Sequence, residues 1–266
     1  MRADFELSKV LVTVKTYPNP SAKHDETVCT AAITESGDWR RIYPINYRAL
    51  PADKQYKKWQ WMEIGLSTRG YQNDPRPESR EPDVNSIRLL GEPLSRENAW
   101  EKRRLIIDKM PHRTPTELTQ QWEVNRVSLG IIRPAEVLDL EVTKGESTWA
   151  PKHEARMAQP LLFGKRKPLH RIPFGFHYVF RCPDQKEPHR LMLEDWELGA
   201  LFLRERDAKG EDAAVQSVRR KFLDDLCGTD KDTRFFVGTR HPHNQWLVIG
   251  VFYPPKKPPE ILPLFS

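Results

Sequence analysis

The stretch Gly37–Arg48, GDWRRIYPINYR, sets the rings of Trp39, Tyr43 and Tyr47 among the guanidinium groups of Arg40, Arg41 and Arg48. In an extended strand Trp39, Arg41 and Tyr43 share one face, while Arg40 and Ile42 share the other. An unpaired charge is costly to bury, so this pattern predicts a Trp39/Arg41/Tyr43 face open to solvent or lining a groove. Exposed rings on a strand can stack nucleobases, at roughly 1–3 kcal/mol per base, and neighbouring arginines can pair phosphates. The alternative places Trp39 and Tyr43 over the end of a barrel, with Arg41 bridging a carboxylate such as Asp38.

The same mixture recurs downstream. KQYKKWQW carries Lys57, Lys58 and Trp59, and the predicted loop GKRKPLHR carries Lys165, Arg166 and Lys167, a basic run suited to phosphate contact. For catalysis the residues to weigh are Asp195 and Glu197, flanking Trp196 at a predicted helix start. A metal-dependent nuclease would need such carboxylates to converge, although acids at that position also suit the helix dipole. Glycine-rich phosphate loops, GxSxG and HExxH are all missing, so the reading leans away from an enzyme and calls for no cofactor. Zinc asks for four soft ligands at close spacing. Cys182 and His189 stand nearest to such a pattern, with His241 and His243 in another turn, and no metal is expected.

These side chains must be positioned by elements that the periodicity places. Alternating apolar runs at KVLVTVKT, TVCTAAIT, WRRIYPI, WQWMEIGLST and SIRLLGEPL predict strands, so residues 1–92 read as a small OB-like β-barrel. Residues 93–130 read as a helical connector, with a helix through ENAWEKRRLIIDKM after Ser95 and a second opened by the capping box Thr114-Pro115-Thr116-Glu117. Residues 131–253 read as an α+β unit with an antiparallel sheet and two amphipathic helices, and 254–266 as a proline-rich tail. The fold class is therefore α+β.

Composition agrees with a folded chain. Of 266 residues 38% are hydrophobic and 30% charged, the formal charge is +6, and the surplus is clustered, which favours an anionic partner. No apolar run reaches the ~18–20 residues of a membrane span. Three widely spaced cysteines and no export signal fit a reducing cytoplasm.

VLVTVKTYP, ETVCTAAI and GDWRRIYPI, together with DWELGAL, FFVGT and WLVIGVFYPP, resemble a family of uncharacterised bacterial proteins. The N-terminal piece also resembles the OB-like units of dual-OB nucleic-acid-binding proteins, through Cys29, Ala31, Ala32, Ile33, Trp39 and Arg41. The resemblance implies nucleic-acid binding, and a setting among mobile elements or bacterial defence systems. In the tail, Leu262, Leu264 and Phe265 resemble the sliding-clamp-binding pentapeptide Gln-Leu-Ser/Asp-Leu-Phe. Pro263 and Ile261 depart from it at the polar positions. That likeness implies a clamp-like protein partner, the alternative being a tail folded back on its own domain. The expectation is a non-catalytic nucleic-acid-binding protein, with a nuclease or a protein-interaction subunit as the other readings.

Overall fold

The computed structural model describes residues 4–21, 23–70, 74–158, 168–183, 185–240 and 244–256. Its first half is built of strands: β1 (Phe5–Lys15), β2 (Asn19–Ser21), β3 (Asp25–Thr34), β4 (Trp39–Ile45), β5 (Trp61–Ser67), β6 (Ser79–Arg80) and β7 (Pro82–Leu90). They form one sheet in the order β6-β4-β3-β1-β5-β7, with β2 beside β3. Only β6 against β4 is parallel. The sheet curls until β4 and β7 touch, yet no ladder joins them among the described residues, so the OB-like unit is an open sheet and not a closed barrel.

Two helices follow, α1 (Glu97–Ile107) and α2 (Pro115–Asn125). The capping box forms as its residue types dictate. The Thr114 hydroxyl accepts from the Glu117 amide, and the Glu117 carboxylate accepts from the Thr114 amide. Helix α1 departs from expectation at its start. Asn98, Ala99 and Trp100 are left-handed, with φ of 48°, 51° and 64°. The buried Trp100 ring packs edge-on against Phe252 and Tyr253, and that contact, with the surrounding core, overrides the local helical preference.

The second half comprises β8 (Leu129–Ile132), β9 (Glu136–Lys144), α3 (Pro151–Ala158), β10 (Phe174–Arg181), β11 (His189–Met192), α4 (Trp196–Lys209), α5 (Glu211–Arg219), β12 (Arg234–Arg240) and β13 (Gln245–Phe252). Two antiparallel sheets, β11-β10-β9 and β13-β12-β8, face each other across a core in which Tyr178 stacks on Phe235 at 4.5 Å. Helices α4 and α5 close that core with Phe202, Ala214 and Val218. The class is α+β, as the periodicity requires. The short strands β2, β6 and β8 and helix α3 carry too little pattern to have been foreseen.

What the sequence did not show is that the two halves share a core. Val10 and Val12 on β1 pack with Ile42, Ile45 and Met62 on one face of the first sheet. Leu11 and Val14 pack through the other face onto Leu129, Phe236 and Ile249 of β8, β12 and β13. The valine-rich strand is therefore buried on both sides. This covering sheet corrects the reading of the opening stretch. The Trp39 ring meets Phe236 edge-on at 6.0 Å, and Arg41 is 3% exposed.

The cost of burying Arg41 is offset by a built clasp. Its Nη2 donates to the Ser128 carbonyl at 2.8 Å and to the Ser128 hydroxyl at 3.1 Å. The Glu78 carboxylate accepts from the Ser128 amide at 2.8 Å and the Ser128 hydroxyl at 2.9 Å. The Glu78 carbonyl accepts from the Arg41 amide, and the Ser128 carbonyl accepts from the Thr239 amide. A second tie is Lys58, whose ammonium lies 2.9 Å from Asp195 and 3.2 Å from Glu197 at the head of α4.

The Arg41→Ala variant takes the guanidinium out of this buried clasp, and should lose about 3–5 kcal/mol of stability in chemical denaturation. Arg41→Lys, which cannot divide its charge between two acceptors in a planar fork, should recover only part of that loss. Gly199→Ala would set a Cβ 2.1 Å from the Tyr17 ring. It should cost about 1–3 kcal/mol, measured in the same way.

Candidate nucleic-acid interface

The residues expected to bind phosphates and bases divide by environment. Trp59 is 6% exposed, lies in the shared core beside Phe236 and Phe252, and carries the Arg103 guanidinium over its ring at 4.9 Å. Trp59 is structural, whereas Arg41, held in the clasp, also reaches the wall of a cavity between the two halves. Lys58 is held by its two carboxylates. Burial alone would lower its pKa, but Asp195 and Glu197 outweigh it and hold the ammonium above its ordinary value. Arg48 makes a paired contact with Glu26 and donates to the Pro168 carbonyl. Arg40 donates to the Trp39 carbonyl, Tyr43 lines a cavity between the two halves, and Lys57 is exposed, 3.7 Å from Glu92. Lys165, Arg166, Lys167, His241, His243, Leu262, Leu264 and Phe265 lie outside the described residues.

Asp195 and Glu197 come together, but around a lysine. The Asp195 carboxylate caps α4, accepting from the Glu197 amide at 2.6 Å, and its other oxygen accepts from Lys58. Lys15 stands close by, over the rings of Tyr47 and Trp196 at 4.0 and 4.9 Å. Burial, and then the Lys58 charge, bring it down to about 8. Cys182 is in the apolar core, where burial pushes its thiol up to about 11, against the thiolate that zinc needs. His189 pairs with Gln185 and packs on Phe180. Among the described residues no group of three histidine, cysteine or acidic side chains could hold a metal ion.

The strongest convergence of cations is elsewhere, around Asp232. Its Oδ2 accepts from Arg104 of α1 and from Arg234 of β12, both at 2.8 Å, and its Oδ1 lies 2.9 Å from Arg133 of the β8–β9 turn. Arg104 also donates to the Pro255 carbonyl at 2.7 Å, and Arg234 lies 2.6 Å from Asp108. The side-chain contacts thus fix the cleft floor: Arg104 and Arg234 are about 5% exposed, while Arg133 is 59% exposed. Two adjoining cavities, about 830 and 490 Å³, open on this cluster, and Arg113, Lys231 and Lys256 complete their walls.

The cleft is a cation-rich concavity. Three guanidinium groups face Asp232 and Asp108, and Glu117, on the rim, is engaged in its capping box. Burial, and then Arg234 and Arg133, hold His112 below its ordinary value, so it stays uncharged near neutrality. The arrangement can neutralise several oxyanions at once, and a low-dielectric concave wall strengthens each contact. Sequence reasoning missed it because Arg104, Arg133 and Arg234 are scattered over more than a hundred positions, Arg104 within the basic run Lys102–Arg104 and the other two alone. The nearest signal was their shared proximity in sequence to apolar runs, which says nothing about convergence.

No helix among the described residues is long and apolar enough to cross a membrane. No curated protein matches the sequence. The solved structure of a murine DNA-binding protein bound with double-stranded DNA is similar at 10% identity and a TM-score of 0.31, over 95% of this chain and 98% of that one. Residues 6–109 match a domain of unknown function, DUF8758. Residues 112–265, more than half of the protein, match another, DUF8757, and the chain belongs to that family.

Proposed function

We propose that this protein binds nucleic acid through the cleft around Asp232, gripping the phosphate backbone and not reading sequence. The observation that carries this reading is the convergence of Arg104, Arg133 and Arg234 on one carboxylate, with Arg113, Lys231 and Lys256 on the surrounding walls. A lone structural ion pair needs one cation. Three on Asp232 and its neighbour Asp108, with Arg113 and Lys256 facing the same space, leave a positive surplus that phosphates would neutralise with release of counterions.

The two buried arginines fix the floor and the exposed cations make the contact, so affinity should divide accordingly. Arg133 and Lys256 can be replaced without opening the core. Arg133 is largely solvated, Lys256 is exposed, and Asp232 keeps two partners when Arg133 is removed. The N-terminal rings are not needed for this mode. Nor are Asp195 and Glu197, which are engaged with Lys58.

Fluorescence anisotropy with a labelled single strand, a duplex and an RNA, at two salt concentrations, tests the reading. The wild type should bind with an affinity that falls steeply with salt. The double variant Arg133→Ala/Lys256→Ala should weaken binding about 10-fold or more and make the salt slope shallower by about 1 for each phosphate no longer neutralised. Lys57→Ala, on the other half of the molecule, should bind as the wild type does. Unchanged affinity and slope in the double variant would overturn the assignment to this cleft.

A further inference from the structure

A second concavity is built differently and lies away from the Asp232 cleft. Strand β9 connects the two. Val137 lines the cleft and Thr143 lines the second site, a separation of roughly 20 Å along the strand. Here two cavities of about 540 and 470 Å³ share Asn19, Glu194 and Arg240 in their walls. Each is within the size range of small-ligand sites.

The two ends have different chemistry. The first lies between the halves of the molecule, where Arg41 and Thr239 reach its wall. Arg41 is 3% and Thr239 4% exposed, yet Nε of the one and the hydroxyl of the other have no partner. A buried donor left unsatisfied is costly, and two on one cavity wall ask for an acceptor-rich group between them. Arg240 stands beside them, paired with Glu194.

The second end is lined by the rings of Tyr17, Trp149 and Phe174. Tyr17 and Trp149 are each anchored by a hydrogen bond from the ring's polar atom, to the carbonyls of His170 and Leu169, so their faces are fixed in place. His177 adds a polar edge. Burial, and then Arg190, hold it below its ordinary value. Rings that can stack and an uncharged imidazole that can pair suit a flat heterocycle with hydrogen-bonding edges.

We propose that these joined cavities bind a nucleoside phosphate, with the base among Tyr17, Trp149 and Phe174 and the phosphate against Arg41 Nε, the Thr239 hydroxyl and Arg240. A free mononucleotide and the phosphorylated end of a strand offer the same chemistry. The site is independent of the Asp232 cleft.

Isothermal titration calorimetry of the full chain tests this with ribonucleoside 5′-monophosphates, the matching nucleosides, inorganic phosphate and a short 5′-phosphorylated oligonucleotide. At least one mononucleotide should bind, and bind more tightly than its nucleoside or phosphate alone. Thr239→Val keeps the volume, removes one donor, and should weaken that binding about tenfold while leaving thermal stability unchanged. Trp149→Leu should weaken nucleoside and nucleotide alike. Heat from the phosphorylated oligonucleotide alone, lost in Thr239→Val, would assign the site to a strand end and uphold it. Heat from none of these probes, or wild-type affinity in both variants, would overturn the proposal. Performing the titrations in Arg133→Ala/Lys256→Ala separates the two sites, since that variant should keep nucleotide binding.

Discussion

The buried guanidinium of Arg41 is the constraint around which the two halves of this molecule are arranged. A charge at 3% exposure is tolerable only if acceptors surround it, and they come from both sides of the junction. Cys29, whose sulfur accepts from Arg41 Nη1 at 3.2 Å, belongs to the first half, Ser128 to the second, and Ser128 is held in turn by the Glu78 carboxylate and accepts at its carbonyl from Thr239 of β12. Strands β4, β6, β8 and β12 are thereby tied at one point. Apolar packing between the sheets is non-directional and would tolerate sliding. The clasp, with fixed donor and acceptor directions, sets one relative position. Lys58 between Asp195 and Glu197 fixes a second point, so the halves are located at two places along their contact.

The two concavities follow from where this junction puts charge. At the clasp, each cation has its own carboxylate or carbonyl, and what is left over is a pair of donors on a cavity wall. Around Asp232 and Asp108 the ratio is inverted, with three guanidinium groups on two acids. The same residue type thus serves as a structural bolt in one place and as a surface for anions in another. The partners within hydrogen-bond reach decide between these roles.

Local features were legible in the sequence because their physics is local. The Thr114–Glu117 capping box needs only residues three apart, and alternation placed the major strands. The face of Trp39, Arg41 and Tyr43 was correctly read as one face, since strand geometry fixes that. Arg41 and Tyr43 do line a cavity, but the burial of the guanidinium was not legible, because Ser128, which takes it, lies 87 positions along the chain. The same applies to Trp59, which reads as a surface ring within a lysine run and is core only because β13 lies against it. Trp100 shows the converse. Its stretch has helical composition, yet packing against Phe252 and Tyr253 holds the backbone left-handed. The Asp232 cleft left no local trace, being assembled from arginines far apart in the chain.

Burial of β1 on both faces has a consequence for synthesis. As the chain leaves the ribosome, the first sheet can pair its strands early, but the side carrying Leu11, Val14 and Ile33 has no cover until β8 and then β12 and β13 emerge. For more than a hundred residues of elongation that apolar surface is open, next to an arginine still without Ser128. A nascent chain in this state is an aggregation hazard and a substrate for holding chaperones. The long-range order of the clasp therefore makes the last strands of the protein the ones that decide whether its first strands survive.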